Sequence, residues 1–277
     1  MEGFTVINLL GHSPAYYWIL GAFRRVFDDS ERAILLLAGI ASLIKFAQIG
    51  KITRWDALAA LMYVGIFLVL HDMVQFRVAL SLAFVLGGLV FLERRRWILA
   101  AATYAVSMFV HSQTAAFALV PIILLIFRTH YFVALGAASV ALIAAAAGLA
   151  PPLVQFLPVS WSDRAQRAID SVEVSGVGIT AFLMLALTAA VTPAMKSADL
   201  VQRVAFYSVI SGFIATWLTA ATGASSRLAY MFWVPLCLLA PLARTNRVVR
   251  YTWIGGALAY FLLSTYINEL LLDWRVY

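Results

Sequence analysis

HDMVQFRVALSLAFVLGGLVFLERRRWILAAATYAVSMFVHSQTAAFALVPIILL, residues His71–Leu125, decides the fold. It consists of three apolar runs separated by short polar breaks. HDMVQFR precedes the first run, ERRR divides the first from the second, and His111-Ser112-Gln113 divides the second from the third. A spanning helix needs about 20 mostly apolar residues. Runs of this kind, broken only by tight polar turns, read as consecutive crossings of a bilayer, and the arginines of Arg94-Arg95-Arg96 mark the turn that stays inside.

The rest of the chain agrees. Of 277 residues, 64% are hydrophobic and only 12% charged. A soluble domain is about half apolar and a quarter charged. The charge deficit excludes a soluble globule of this length, and the same figures exclude disorder. A single anchor on a soluble domain would leave ordinary composition elsewhere, and no such stretch is present. The sequence therefore predicts one all-α, polytopic transmembrane domain over residues 1–277, with roughly nine or ten spans. They are expected near 33–50, 57–73, 77–92, 97–111, 113–127, 131–150, 177–194, 204–222, 228–242 and 251–268.

The net charge of +7 follows from topology before it says anything about partners. With alternating spans, Lys51 with Arg54, Arg94 to Arg96, Arg128, Lys196 with Arg203, and Arg244, Arg247 and Arg250 all fall on one side. That side is cytoplasmic by the positive-inside rule. Nucleic acid is not an expected partner. The lone cysteine, Cys237, lies in an apolar run and supports neither a disulfide framework nor a thiolate metal site.

The opposite face carries residues 1–32, 71–77, 111–113, 151–176, 223–227 and the C-terminal tail. Ser13-Pro14 reads as an N-cap with proline in the first helical position. The helix it starts, expected through Phe27, carries Tyr16, Tyr17 and Trp18 and suits the membrane interface. Segment 151–176 is the longest outer loop and holds a short helical run around SWSDRAQRAIDSVE.

Polar groups beside apolar spans are costly, so each invites a functional and a plain reading. In HDMVQFR, His71 and Gln75 share a helical face. Arg77 either binds an anion or snorkels to the headgroups, and His71 either binds substrate or caps a helix. His111, with Ser112 and Gln113, either takes a proton from a substrate hydroxyl or forms an interfacial turn. Arg164 and Arg167, three apart, either clamp a pyrophosphate or are neutralised by Asp163 and Asp170 on a solvated helix. Arg227, with Ser225, Ser226 and Tyr230 nearby, is either a site cation or a span-end anchor. No HExxH, DxD or glycine-rich phosphate loop occurs. The outer acids are scattered, so neither a metal nor a cofactor is expected.

These features resemble the EpsG family of Wzy-like polysaccharide polymerases, most clearly over residues 65–127. The resemblance rests on Gln75 and Arg77 opening a span, the basic turn at Arg94 to Arg96, His111-Ser112 closing the next span, and Pro121 in the helix after it. Arg227 before the aromatic-rich Tyr230 to Phe232 fits the same pattern. Related chains carry a first span and a Glu-Pro-Gly-Tyr-like outer element. Glu2-Gly3-Phe4 resembles a remnant of that element, so a preceding span is expected.

The resemblance implies a bacterial inner-membrane glycosyltransferase of exopolysaccharide, O-antigen or capsule synthesis. It would join repeats carried on undecaprenyl pyrophosphate at the outer face, alongside other export and chain-length-control proteins. It implies catalytic roles for His111, Arg77 and Arg227, and substrate binding by Gln75, His71, Arg164, Arg167, Ser112 and Tyr230. Two rivals remain: an outer-face glycan ligase or acyltransferase, and a non-enzymatic transporter or scaffold subunit.

Overall fold

The computed structural model describes residues 14–26, 30–72, 76–111, 114, 130–147, 149, 179–218 and 231–266. Among them are ten α-helices and no strand. In chain order these are α1 (Pro14–Arg24), α2 (Ser30–Thr53), α3 (Ala57–Met62), α4 (Phe76–Glu93) and α5 (Trp97–Val110). Then come α6 (Tyr131–Ala146), α7 (Ile179–Val191), α8 (Leu200–Leu218), α9 (Ala240–Ala243) and α10 (Arg247–Tyr266).

The all-α membrane class is what the sequence predicts. Arg32–Thr53, Thr180–Ser197 and Leu200–Leu218 are each long and apolar enough to cross a bilayer. Ala57–Leu68, Trp97–Val110, Tyr131–Ala146 and Met231–Ala243 are shorter apolar helices. The distribution of side chains makes the same point. Helix α6 buries Ala134, Ala138, Ala141, Leu142 and Ala145 while Phe132, Val133, Val140 and Ile143 face outward. Small residues inside and bulky apolar ones outside suit a lipid surround, where close helix packing rather than water exclusion holds helices together.

The chain forms two compact units. The first comprises residues 1–119 with 250–277, and the second residues 120–249.

In the first unit, α4 packs most extensively on α5 and then on α2. Adjacent glycines make room on both sides. A Cβ on Gly87 would stand 3.0 Å from Gln48 of α2, and one on Gly88 3.0 Å from the Tyr104 ring of α5. The turn from α4 to α5 closes when Arg96 N–H donates to Phe91 O (2.8 Å) and Arg95 N–H to Leu92 O (3.0 Å). Arg95 takes the left-handed conformation (φ 56°) that this Schellman closure requires. Helices α4 and α5 are thus antiparallel neighbours, and the start of α4 lies beside the end of α5.

Helix α1 begins at Pro14, as the Ser-Pro signal predicts, but ends at Arg24 rather than Phe27. It lays Tyr16 and Leu20, one turn apart, into a core with Ala33, Leu37, Ala41, Ala79, Leu80 and Val110. Lys45 of α2 is fully buried, with its ammonium 5.8 Å from the Tyr63 ring centroid.

One expected span is built differently. The 57–73 run starts as α3, with Asp56 accepting from Leu58 N (2.8 Å) and Ala59 N (3.3 Å), and continues as a π-helix over Tyr63–Asp72. Gly65 lies in this segment, where a Cβ would be 3.3 Å from the Ala257 carbonyl of α10. Packing against a neighbouring backbone, rather than any local signal in YVGIFLVL, accompanies the wider winding.

In the second unit α8 is central and buried nearly all round, from Val201 to Thr216. Asp199 and Gln202 form a reciprocal capping box at its start: Gln202 N–H to Asp199 Oδ1 (2.8 Å) and Asp199 N–H to Gln202 Oε1 (3.0 Å). It packs on α6 and on the 3₁₀ segment Val234–Leu239. Proline lacks the N–H that an α-helix needs, and the two 3₁₀ segments among the described residues, Thr192–Ser197 and Val234–Leu239, carry one near the start, Pro193 and Pro235.

Gly212 of α8 faces Trp233, and a Cβ there would stand 2.6 Å from Trp233 Nε1 and 2.9 Å from Phe232 Cβ. Both aromatics are 2% exposed, so neither has free space to move into. Gly212→Ala is therefore expected to cost about 1–3 kcal/mol through overpacking, read as a lower midpoint of thermal unfolding in detergent. An unchanged midpoint would show that the indole moves aside without cost.

Of the other expectations, the 113–127 span beyond Thr114 and the 151–176 outer loop lie outside the described residues.

Candidate active site

The site is built at the end of the first unit where α4 begins and α5 ends. Arg77 is the second residue of α4 and is exposed. The first turn of α4 holds no acidic residue. A cation at a helix N-terminus opposes the macrodipole, so it does nothing for the helix. Among the described residues its guanidinium meets an aromatic ring rather than a carboxylate: Arg77 Cζ lies 5.9 Å from the Tyr16 ring centroid. Tyr16 is only 6% exposed. Burial pushes its phenol up from its ordinary value and the Arg77 charge pulls the other way, so the net shift is upward and the ring stays neutral. The ring face meets the guanidinium at its carbon, and the N–H groups, which lie in the guanidinium plane, can still bond an anion.

His111 follows α5 directly and caps its C-terminus in an extended conformation. Its N–H donates to Ser107 O at 2.9 Å. Its carbonyl accepts from Thr114 N at 3.0 Å and Thr114 Oγ1 at 2.6 Å. The backbone is therefore fixed on both sides of the imidazole, which is half-buried.

Three hydroxyls connect this turn to α4. Ser81, one turn after Arg77, reaches Ser107 O at 2.8 Å and Thr114 Oγ1 at 3.1 Å. Ser107 Oγ donates to Tyr104 O at 2.7 Å and lies 3.3 Å from Thr114 Oγ1. Ser81, Ser107 and Thr114 are each fully buried. Val110, next to His111, lies in the same core as Tyr16 and Leu80. Arg77, over the Tyr16 ring, and His111, bonded to Ser107 and Thr114, thus stand at one end of the α4–α5 pair.

His71 lies near the end of the π-helix Tyr63–Asp72. Gln75, Ser112, Arg164, Arg167, Arg227 and Tyr230 lie outside the described residues. The aromatic pattern of α1 suits the interface without marking Arg77 as the partner of Tyr16, and Ser81, Ser107 and Thr114 are site residues beyond those expected from the sequence. A signal for the serines was present. VALSLAF and YAVSMFV each carry one hydroxyl in an apolar run, and such a group needs a partner in a bilayer.

A fixed cation and an imidazole at one helix end can bind an anionic group and receive a proton beside it. In a comparison with known proteins, the model of the EpsG family matches residues 2–271. No curated protein and no solved structure matches the chain.

Proposed function

Because this membrane protein belongs to the EpsG family, we propose that it is a polysaccharide polymerase acting at the outer face of the bacterial inner membrane. The donor is an oligosaccharide repeat on undecaprenyl pyrophosphate, and the acceptor is a second lipid-linked repeat. The observation that carries this reading is that exposed Arg77 and His111 stand at the same end of the antiparallel α4–α5 pair, opposite the Arg94–Arg96 turn.

The reaction is glycosyl transfer. An acceptor hydroxyl oxygen bonds to the donor's anomeric carbon. The bond from that carbon to the phosphate oxygen breaks, and its electron pair leaves with the lipid pyrophosphate. His111 takes the hydroxyl proton. Negative charge grows on the pyrophosphate in the transition state, so a preorganised guanidinium there lowers the barrier. Arg77 supplies that charge, and arginine stays charged at any working pH. The proposed chemistry needs no metal. Roles for Arg227, Arg164 and Arg167 as further cations, and for Gln75, His71, Ser112 and Tyr230 as substrate contacts, rest on the family resemblance and on the sequence pattern around each.

A transporter would need polar groups turned toward a path through the spans. Among the described residues, most buried hydroxyls of the long helices are instead bonded within their own helix, at i−4: Ser42 to Ala38 O, Thr188 to Met184 O, Ser208 to Val204 O, Ser211 to Tyr207 O and Thr216 to Gly212 O, with Ser81 and Ser107 the exceptions. This favours an enzyme over a carrier. A ligase or acyltransferase shares the same groups and differs in its product. In cells lacking this chain, single lipid-linked repeats should accumulate, and restoring it should give a ladder of repeat lengths. Restoration that yields only a one-step transfer would replace polymerase with ligase.

A further inference from the structure

Hydroxyls in the long helices mostly bond back to a carbonyl of the same helix. Ser81 does not. It reaches from α4 to Ser107 O on α5 and to Thr114 Oγ1 beyond His111. Ser107 O is the same carbonyl that accepts the His111 N–H, and Thr114 Oγ1 is the same hydroxyl that donates to His111 O. Ser81 has one proton, given to Ser107 O at 2.8 Å, so the carbonyl that holds the His111 N–H is bonded to the neighbouring helix, while the hydroxyl that holds the His111 carbonyl is in 3.1 Å contact with the same Ser81 oxygen. Ser81 stands one helical turn from Arg77.

We infer that Ser81, Ser107 and Thr114 form a positioning device that holds His111 in a fixed place at the Arg77 end of α4. The inference rests on the reading of His111 as the base for an acceptor hydroxyl. Proton transfer of this kind depends on placing the imidazole to within a few tenths of an ångström of its mark. A loop residue lacks such placement unless neighbouring hydrogen bonds impose it. The three hydroxyls are fully buried, so their bonds are shielded from water, and each proton has an acceptor in place. None of the three reaches the exposed surface where Arg77 stands, so they act through His111 and are not themselves catalytic residues.

The test uses the full chain in detergent and in liposomes with Thr114→Val, Thr114→Ser and Ser81→Ala. Valine keeps the shape of threonine and removes the hydroxyl. Serine keeps the hydroxyl. Ser81→Ala breaks the cluster from the other helix and serves if the valine variant fails to fold. The first readout is the rate at which diethyl pyrocarbonate modifies His111, followed on its own peptide by mass spectrometry across pH. This readout does not depend on polymerisation. Thr114→Val and Ser81→Ala should change that rate by about threefold or more, whereas Thr114→Ser should match the native chain.

The second readout is polymer formation. The same two variants should lose about tenfold in kcat with little change in KM for the acceptor, and serine should restore it. Unchanged His111 modification in both Thr114→Val and Ser81→Ala would overturn the inference. An equal change in Thr114→Ser would overturn it too, because the hydroxyl is retained there. If the native chain makes no polymer, the polymerase reading fails while the modification rates still decide the positioning role.

Discussion

Arg77→Ala should lower polymer formation about 100- to 1,000-fold while the protein stays folded and inserted, by analogy with removing one preorganised donor from a charged transition state. The two halves of that expectation come from different observations. Arg77 is exposed, and its described contact is the face of Tyr16, worth about 0.5–1 kcal/mol at an exposed site. It stands in the first turn of α4, where the macrodipole disfavours a cation, so the helix gains nothing from its charge. Removing it therefore costs little stability, and a large loss of turnover would be a loss of chemistry. Arg77→Lys should recover only part of the activity, since an ammonium lacks the planar fork that pairs two phosphate oxygens. Full activity of Arg77→Ala at native protein level would remove Arg77 from the mechanism. Arg227→Ala carries the same expectation, on the family resemblance.

His111→Gln should reduce turnover by about 100- to 10,000-fold, the range of a lost general base. Glutamine is polar and similar in reach but cannot accept a proton at working pH. The bonds that fix this position run through its N–H and carbonyl, to Ser107 O and from Thr114, so the substitution leaves them in place. Full turnover in His111→Gln would remove the base role.

Much of the fold could be read from hydrophobic runs because each is closed by a residue with a structural reason to be there. The basic turn at Arg94 to Arg96 divides α4 from α5 where expected, and Pro14 opens α1. What escaped reading depends on neighbours distant in sequence. The π-helix at Tyr63–Asp72 has no local marker and packs by Gly65 on the backbone of α10. The left-handed Arg95 occupies a position where glycine is the ordinary signal.

The site divides in the same way. Alternation of spans was enough to put Arg77 and His111 on one face, and the antiparallel α4–α5 pair brings both to one end. The ring beneath Arg77 comes from Tyr16 on a separate helix, and the link to His111 runs from Ser81 to Thr114 across 33 positions. Contacts of that range are settled by packing, and hydropathy does not encode them.

Reconstitution of the purified chain tests the central claim most directly. The protein is placed in liposomes with a repeat-unit oligosaccharide on undecaprenyl pyrophosphate and no other protein, and the glycan products are separated by length. A ladder of repeats, with undecaprenyl pyrophosphate released in step and both lost in Arg77→Ala, is the expected result. Binding of the lipid-linked repeat with no new glycosidic bond would contradict it.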